Sequence, residues 1–341
     1  MLIYWTSLSL SLIFSFLSEY NRYLSRYFFL LSFFSVFFIC AFRFDVGSDY
    51  QSYIEIFYNI QNGNSSYVEP GFYLLNYIFT NVRNGWFFVF LVSSFLTLYP
   101  LFKLSREYSV LLVFIIILFA SGFIFRSNNL VRQGIATSFL LLACSDLNSK
   151  KNNKFYFYIF IAGMFHYASF AFIMLKQLNK IKFNKKVIIG ISLFSIVSSF
   201  FFDFNSLIIK SISLIPHYGE IYSVKLINES ASSGTNLVVY FWALLSVVIF
   251  YFRSDCIYSK IYLMGSVLSL FTLEFSLVYR FLSYMTDFKL MAIPLFLRSF
   301  SVNNPITLLI RFFLILMFML FIAVNIKNGI SGSLPFKFIF E

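Results

Sequence analysis

The sequence predicts an all-α fold, a polytopic membrane bundle of about 10–12 transmembrane helices in a single domain over residues 1–341. Of these residues 60% are hydrophobic and only 12% are charged, whereas a soluble globular chain carries about twice that charge. The mean hydropathy is +0.81, and long apolar runs follow one another along the chain. This composition excludes a cytosolic enzyme, a nucleic-acid-binding domain and a disulfide-stapled secreted domain.

Each apolar run is a candidate transmembrane helix. The runs cover residues 2–18, 27–42, 85–102, 109–125, 130–147, 155–175, 187–204, 236–252, 257–278, 281–297 and 306–326. Several are close to the lower limit of about 17 residues for crossing roughly 30 Å of hydrocarbon. The first run has neither a basic segment before it nor a small-residue cleavage pattern after it, so we interpret it as a retained helix.

The charged connections predict the orientation of the bundle. The connection 43–84 is acidic, with Asp45, Asp49, Glu55 and Glu69 against Arg43 and Arg83. The short connections 19–26, 103–108 and 148–154 are basic. Because basic connections stay in the cytoplasm, residues 43–84 and the N-terminus are predicted to lie outside.

The run 155–175 has lysines on both sides, which a single crossing would place on opposite faces of the membrane. We therefore predict a re-entrant hairpin of two half-length helices that bends near Gly163 to His166. The connection 205–235 then becomes a second outer loop. Its polar residues are His217, Tyr218, Glu220, Lys225 and Glu229.

The three cysteines do not form a metal or redox motif. Cys40, Cys144 and Cys256 are an odd number without CxxC spacing, and the first two lie in or beside apolar runs. With only two histidines in the chain, a metal would have to be bound by carboxylates.

The first candidate site follows the second apolar run, in the segment Arg43-Phe-Asp-Val-Gly-Ser-Asp-Tyr50. If the chain is helical from Asp49, then Asp49 and Tyr53 share one helix face, and Gly47 provides the turn that brings Arg43 back toward them. The alternative is a juxtamembrane cap in which Arg43 pairs with Asp45 or Asp49.

The second and third candidate sites are Glu69 and the segment from Arg126 to Gly134. Glu69 precedes Pro70, a pattern that is also typical of a plain helix start. One interpretation of Arg126 is an interfacial anchor, whereas Arg132 lies deeper in the following helix. A guanidinium there is suited to binding phosphate oxygens through two parallel hydrogen bonds.

Two further candidates complete the set. His166 lies in an apolar run. Its role is either hydrogen-bonded packing in the bundle or catalysis. Arg280 lies in Tyr279-Arg280-Phe-Leu-Ser-Tyr284, which is predicted to face outward between two helices.

These motifs occur in an order that resembles the EpsG-like branch of Wzy-type O-antigen and exopolysaccharide polymerases. The shared elements are R-x-D-V-G-x-D-Y-x-x-Y, E-P-G-F, R-Q-G-I-A, F-H-Y-A-S, Y-R-F-L-S-Y and Ile293-Pro294, over residues 43 to about 294. Each motif alone is weak, and their order across the bundle makes the resemblance specific.

The resemblance implies a bacterial inner-membrane glycosyltransferase of GT-C-like architecture with a periplasmic active face. Its substrates would be oligosaccharide repeat units on undecaprenyl pyrophosphate. The growing chain leaves its lipid pyrophosphate and passes to a hydroxyl of the incoming unit. A chain-length regulator and a flippase of the same pathway would be partners.

Such a reaction needs a cationic clamp and a base. For the pyrophosphate we predict Arg126 and Arg132, with Arg280 in support and Arg43 on the second phosphate or orienting Asp49. The predicted bases are Asp49, His166 and Glu69. The predicted sugar-binding residues are Tyr50, Tyr53 and Tyr284, among outer tyrosines that include Tyr67, Tyr73 and Tyr218.

We expect no cofactor, because the arginines already supply positive charge. Asp45 and Asp49 holding Mg²⁺ or Mn²⁺ is the alternative. Other function classes also remain open: another GT-C lipid-linked-sugar transferase, an O-antigen ligase, or a flippase. A ligase usually has a large basic outer loop late in the chain, and a flippase is expected to show repeat symmetry between its halves. A membrane acyltransferase would need an early His or Cys nucleophile.

Overall fold

The structure is a computed structural model that describes residues 1–64, 67–148, 152–181, 184–201, 237–271, 276–300 and 304–340. The described chain is helical, and its only β-type pairing is an isolated bridge between Arg43 and Phe338. The predicted all-α polytopic fold is confirmed. The predicted outer loop 205–235 lies outside the described residues.

The α-helices are numbered here in chain order. They are α1 (Leu2–Tyr20), α2 (Ser25–Ala41), α3 (Tyr50–Gln61), α4 (Pro70–Ile78), α5 (Gly85–Glu107), α6 (Leu111–Ala120), α7 (Phe123–Asn129), α8 (Val131–Asn148), α9 (Asn152–Phe165), α10 (Leu175–Lys180), α11 (Lys185–Phe201), α12 (Leu237–Phe252), α13 (Ile257–Ser269), α14 (Ser276–Thr286), α15 (Lys289–Arg298) and α16 (Pro305–Lys327). Two 3₁₀ helices cover Tyr167–Met174 and Ile330–Gly332.

The helices group into two compact units. The first unit contains Met1–Lys176 and Ile293–Glu341, and the second contains Gln177–Ala292. A single transmembrane domain over the whole chain stays a prediction.

Serines join the first two helices of the first unit. The hydroxyl oxygens of Ser11 and Ser32 lie 3.0 Å apart. Each hydroxyl also donates to the other residue's backbone carbonyl at 2.9 Å. Ser18 repeats this pattern with Ser25 nearer the connection. Small side chains let the two backbones approach closely, which is how helices associate in lipid.

The apolar run 109–125 was expected to form one helix, and the structure divides it into α6 and α7 with a bend of 61°. Gly122 at the break has φ +70°, a conformation that glycine adopts without strain. Asn325 of α16 donates its amide to the carbonyls of Phe119 and Ala120, at 3.0 and 2.9 Å. The carbonyls that the break releases are thereby satisfied inside the protein, as lipid requires.

The run 155–175 folds back on itself, as a hairpin requires, and its re-entrant placement in the membrane stays a prediction. The helix α9 ends at Phe165, and the chain returns through the 3₁₀ helix Tyr167–Met174. Lys176 donates to the Tyr156 hydroxyl at 2.9 Å, twenty residues away. The fourteen residues of α9 rise about 21 Å, which is too short for a full crossing.

Helices α11 to α14 and the start of α15 form the second unit. Tyr262 donates to the carbonyl of Trp242 at 2.8 Å, and the Lys289 ammonium lies 4.9 Å from the Trp242 ring centre. An apolar cluster of α11, α12 and α13 is formed by Ile196, Tyr240, Ala243, Val247, Phe250, Leu263 and Leu270.

Three helices of the described chain are long and apolar enough to cross a membrane, or four if α6 and α7 form one broken span. These are α1, α5 and α16. The remaining apolar runs form shorter or bent helices, as expected for the runs near the length limit. The number of true crossings stays a prediction.

Candidate functional site

The segment Arg43 to Tyr50 forms a tight turn before α3. Gly47 has φ +108°, and Asp49 immediately precedes the helix. The Tyr53 amide donates to the Asp49 carbonyl at 3.2 Å, so the two residues lie one helical turn apart as predicted. The Asp49 side chain is half-buried, whereas Asp45 is exposed and accepts a hydrogen bond from Gln51 at 2.7 Å.

Arg43 points away from both aspartates and into the protein. Its side chain is 2% exposed and donates to the Cys40 carbonyl and to the carbonyl and side-chain oxygens of Asn128. The guanidinium lies 4.8 Å from the centre of the Phe90 ring. The predicted pairing with Asp45 or Asp49 is therefore not observed in the described chain. Burial lowers the pKa of Arg43, although a guanidinium remains charged at neutral pH.

Burial places Arg43 beside a small internal cavity. The arginine lines a cavity of about 10 Å³ with Ser93, Thr97 and Asn128, which is room for one water-sized molecule. In this conformation Arg43 supports the turn through its contacts with Cys40 and Asn128. Its contact with the second phosphate stays a prediction.

Asn129 holds the turn from the other side. Its side-chain oxygen accepts the Asp49 amide at 2.8 Å and the Ser48 hydroxyl at 3.0 Å. Sequence reasoning assigned no role to Asn128 or Asn129. The available signal was two adjacent amide side chains at the end of a short helix, between Arg126 and Arg132.

The chain end also binds this turn, which the sequence did not indicate. Amides of Phe44 and Gly47 donate to the carbonyls of Lys337 and Gly332, at 2.9 and 3.0 Å. The Ile339 amide donates to the Phe42 carbonyl at 3.1 Å. Residues 329–340, called the C-terminal clasp below, thus fold onto the motif that carries Asp49.

A second group of site residues surrounds Arg132 in the first turn of α8. Arg132 forms an ion pair with Glu69 and lies beside the Tyr53 hydroxyl. The same hydroxyl accepts the Val131 amide at 3.1 Å and so caps α8. The guanidinium carbon of Arg132 lies 6.0 Å from the Phe72 ring centre. The structure thereby brings together Tyr53, Glu69 and Arg132, which are far apart in sequence.

His166 lies at the bend of the hairpin, next to the helix that Glu69 precedes. A β-carbon at Gly71 would lie 2.8 Å from the Met164 carbonyl, so α4 and the end of α9 are in direct backbone contact. His166 is half-buried, and its carbonyl accepts the Ser169 hydroxyl at 2.8 Å. The hairpin therefore places a histidine close to the Glu69 segment.

The remaining predicted cations lie on separate elements. Arg126 is half-buried on α7, six residues before Arg132. Arg280 is exposed on α14, within the second unit. Their predicted roles on the pyrophosphate stay predictions.

The three predicted sugar-binding tyrosines are buried in this structure. Tyr50, Tyr53 and Tyr284 are 1%, 8% and 0% exposed. Tyr50 stacks on Phe90 with ring centres 4.8 Å apart, and burial raises its pKa to about 12. Their role in sugar binding stays a prediction. Of the other tyrosines predicted for the outer face, Tyr67 and Tyr73 are exposed, and Tyr218 lies outside the described residues.

Within the described chain no three His, Cys, Asp or Glu residues lie together as metal ligands. Asp45 and Asp49 are two carboxylates only four residues apart in the sequence, and Asp45 accepts a hydrogen bond from Gln51. Metal binding there was the alternative expectation and is not tested.

The long apolar helices and the bent pair α6–α7 define a polytopic helical membrane protein, with an arginine–carboxylate pair beside a motif-bearing turn. The profile of the EpsG family matches residues 26–338, nearly the whole chain, and the chain belongs to that family. This membership supports a polysaccharide-polymerase type of role. No curated protein and no solved structure matches the chain.

Proposed function

We propose that this protein polymerises oligosaccharide repeat units carried on undecaprenyl pyrophosphate into O-antigen or exopolysaccharide. It would act in the bacterial inner membrane as a multi-pass glycosyltransferase of GT-C-like architecture. The acidic connection 43–84 would lie at the periplasmic face, where the reaction takes place. A flippase and a chain-length regulator would act beside it, and no cofactor is expected.

The observation that carries this proposal is the setting of Arg132. Its guanidinium pairs with Glu69 and lies 6.0 Å from the Phe72 ring centre, while the side chain as a whole is still 28% exposed. A fixed, partly desolvated guanidinium is suited to two parallel hydrogen bonds with a phosphate group. Stabilising the charge that develops on a departing diphosphate is the main task of such a transferase.

The base would come from the residues around Arg132 and the turn. Glu69, Asp49 and His166 lie on segments that contact one another or share Tyr53 as a neighbour. The acceptor hydroxyl loses its proton to one of them as its oxygen attacks the anomeric carbon. The bond from that carbon to the diphosphate oxygen breaks, and the lipid diphosphate leaves with the electron pair. A diphosphate is a good leaving group, so no general acid is needed.

Chain lengthening in vitro tests the proposed function. The purified full-length protein in detergent or vesicles is incubated with lipid-linked repeat units, and the products are separated by length. We expect a ladder from the wild type, no ladder from Arg132→Ala, and a wild-type ladder from Glu55→Gln, an exposed carboxylate on the outer segment. Transfer to lipid A instead would indicate a ligase, and translocation without new bonds would indicate a flippase.

A further inference from the structure

The ion pair between Glu69 and Arg132 occupies the position where a phosphate would bind. We propose that Glu69 and the lipid diphosphate compete for Arg132, and that displacement of Glu69 by the diphosphate frees this carboxylate to act as the base. This inference rests on the proposed function and assigns a regulated role to one residue of that site.

The local structure directs Glu69 toward Arg132 and away from its own helix. Glu69 precedes Pro70 at the start of α4, where a carboxylate commonly accepts hydrogen bonds from helix amides. Here the Glu69 side chain makes no such capping bond. It instead contacts the guanidinium of Arg132, sixty-three residues further along the chain.

Burial makes this pair responsive to a competing anion. The Glu69 side chain is 9% exposed, whereas that of Arg132 is 28% exposed. Because the Arg132 side chain is the more exposed partner, an anion from solvent meets the arginine before the carboxylate. A diphosphate brings more negative charge than a carboxylate and more oxygens for paired hydrogen bonds, so it competes effectively.

Arg132 has other contacts that would hold it in place during the exchange. The Tyr53 hydroxyl lies beside it, and the Phe72 ring lies beneath it at 6.0 Å. Tyr53 is itself fixed by the Val131 amide. The guanidinium is therefore positioned by residues other than Glu69, and loss of the carboxylate contact need not release it.

The exchange links substrate binding to catalysis. While Glu69 is paired with Arg132, its carboxylate is engaged by the guanidinium and is not available to an acceptor hydroxyl. Once the diphosphate takes over the guanidinium, the nearly buried carboxylate is free to contact that hydroxyl. Glu69 then takes the proton of the acceptor hydroxyl, the new carbon–oxygen bond forms, and the diphosphate leaves on Arg132 with the electrons of the broken bond.

A purely structural ion pair makes the opposite prediction for one variant. If Glu69 only positions Arg132, then Glu69→Gln weakens anion binding, because the guanidinium is held less well. If Glu69 competes with the anion, Glu69→Gln strengthens anion binding, because the competitor has lost its charge while the side-chain shape is kept.

The test is inorganic pyrophosphate binding to the purified full-length protein by calorimetry, beside the chain-lengthening assay. We expect Glu69→Gln to bind pyrophosphate about tenfold more tightly than the wild type and to make no polymer, a gain of about 1.4 kcal/mol. Arg132→Ala should lose binding, and Glu55→Gln should match the wild type. Unchanged or weaker binding by Glu69→Gln would overturn the proposal.

Two controls keep the outcome interpretable. If Glu69→Gln does not fold, Glu69→Asp retains the charge on a shorter side chain, and it should bind pyrophosphate more tightly than the wild type to a smaller degree. Weaker binding by this variant would also contradict the competition. A wild type that binds pyrophosphate but makes no polymer would refute the proposed function alone.

Discussion

Arg43 donates to both oxygens of Asn128, the backbone carbonyl at 2.9 Å and the side-chain amide at 3.3 Å. Eighty-five residues separate the two in sequence. The contact joins the turn before α3 to the end of α7, just ahead of Arg132. Arg43 therefore connects the two segments that carry the candidate site, from a buried position.

Arg43→Ala should destabilise the protein more than it changes substrate binding. The substitution leaves the Asn128 oxygens and the Cys40 carbonyl without their donor in a buried place, at about 1–3 kcal/mol for each group that stays unpaired. We expect a lower melting temperature in detergent. Arg83→Ala, at an exposed arginine of the same connection, is the control and should melt like the wild type. Equal melting of both variants would refute the structural role.

Asn129→Ala should reduce polymer synthesis with a smaller effect on stability. Its side-chain oxygen accepts two hydrogen bonds that set the Asp49 backbone, and each is worth about 0.5–1.5 kcal/mol. Asn129→Asp retains an acceptor oxygen and should restore much of the product ladder. The exposed Asn64 offers the matched control, Asn64→Ala. A full ladder from Asn129→Ala would show that the turn does not need this contact.

Gly332→Ala should cost more stability than Gly63→Ala. Both glycines have positive φ, +69° and +73°, and each substitution therefore carries a similar backbone penalty of about 1–2 kcal/mol. Only at Gly332 would the new methyl group also lie 3.0 Å from a backbone atom, the Ser48 nitrogen, whereas Gly63 has open space. The difference in melting temperature measures the contact between the C-terminal clasp and the turn. An equal decrease in melting temperature for both variants would mean that the C-terminal clasp shifts to accommodate the methyl group without a measurable cost.

Lys154→Cys and Lys176→Cys should be labelled from the same side of the membrane. The hairpin returns Lys176 to Tyr156, near the start of α9, so both flanks of the run face one compartment. A membrane-impermeant thiol reagent applied to intact cells should miss both positions and label Arg83→Cys. Cys256→Ser provides the background, because the other two cysteines are buried. Labelling of Lys176→Cys from outside would contradict the hairpin.

The fold was largely predictable because lipid imposes a composition and a length on each helix. Apolar runs predicted α1, α2, α5 and α16, and lysines on both flanks predicted the hairpin at His166. The division of the run 109–125 was not predictable, since its hydropathy is continuous across Gly122. That break depends on Asn325, more than two hundred residues away, which satisfies the released carbonyls.

The candidate site was predictable in its residue types and only partly in its contacts. Only 12% of the residues are charged, and an ionisable group near the membrane costs free energy. Glu69 and Arg132 were therefore predicted as site residues. Which carboxylate would pair with which arginine could not be derived. Arg43 was expected beside Asp49 and instead binds Asn128, because carbonyl and amide oxygens 85 residues away supply its acceptors.

The sequence by itself determined that this is an all-α membrane protein of the EpsG type, because apolar length, cation placement and motif order are properties of the chain read in one dimension. The tertiary structure alone decided that Glu69 pairs with Arg132, that Arg43 is buried and that residues 329–340 close over the turn. The physical reason is that each of these contacts joins segments more than sixty residues apart. Their geometry depends on how the helices pack, and local hydropathy and charge along the chain do not specify that packing.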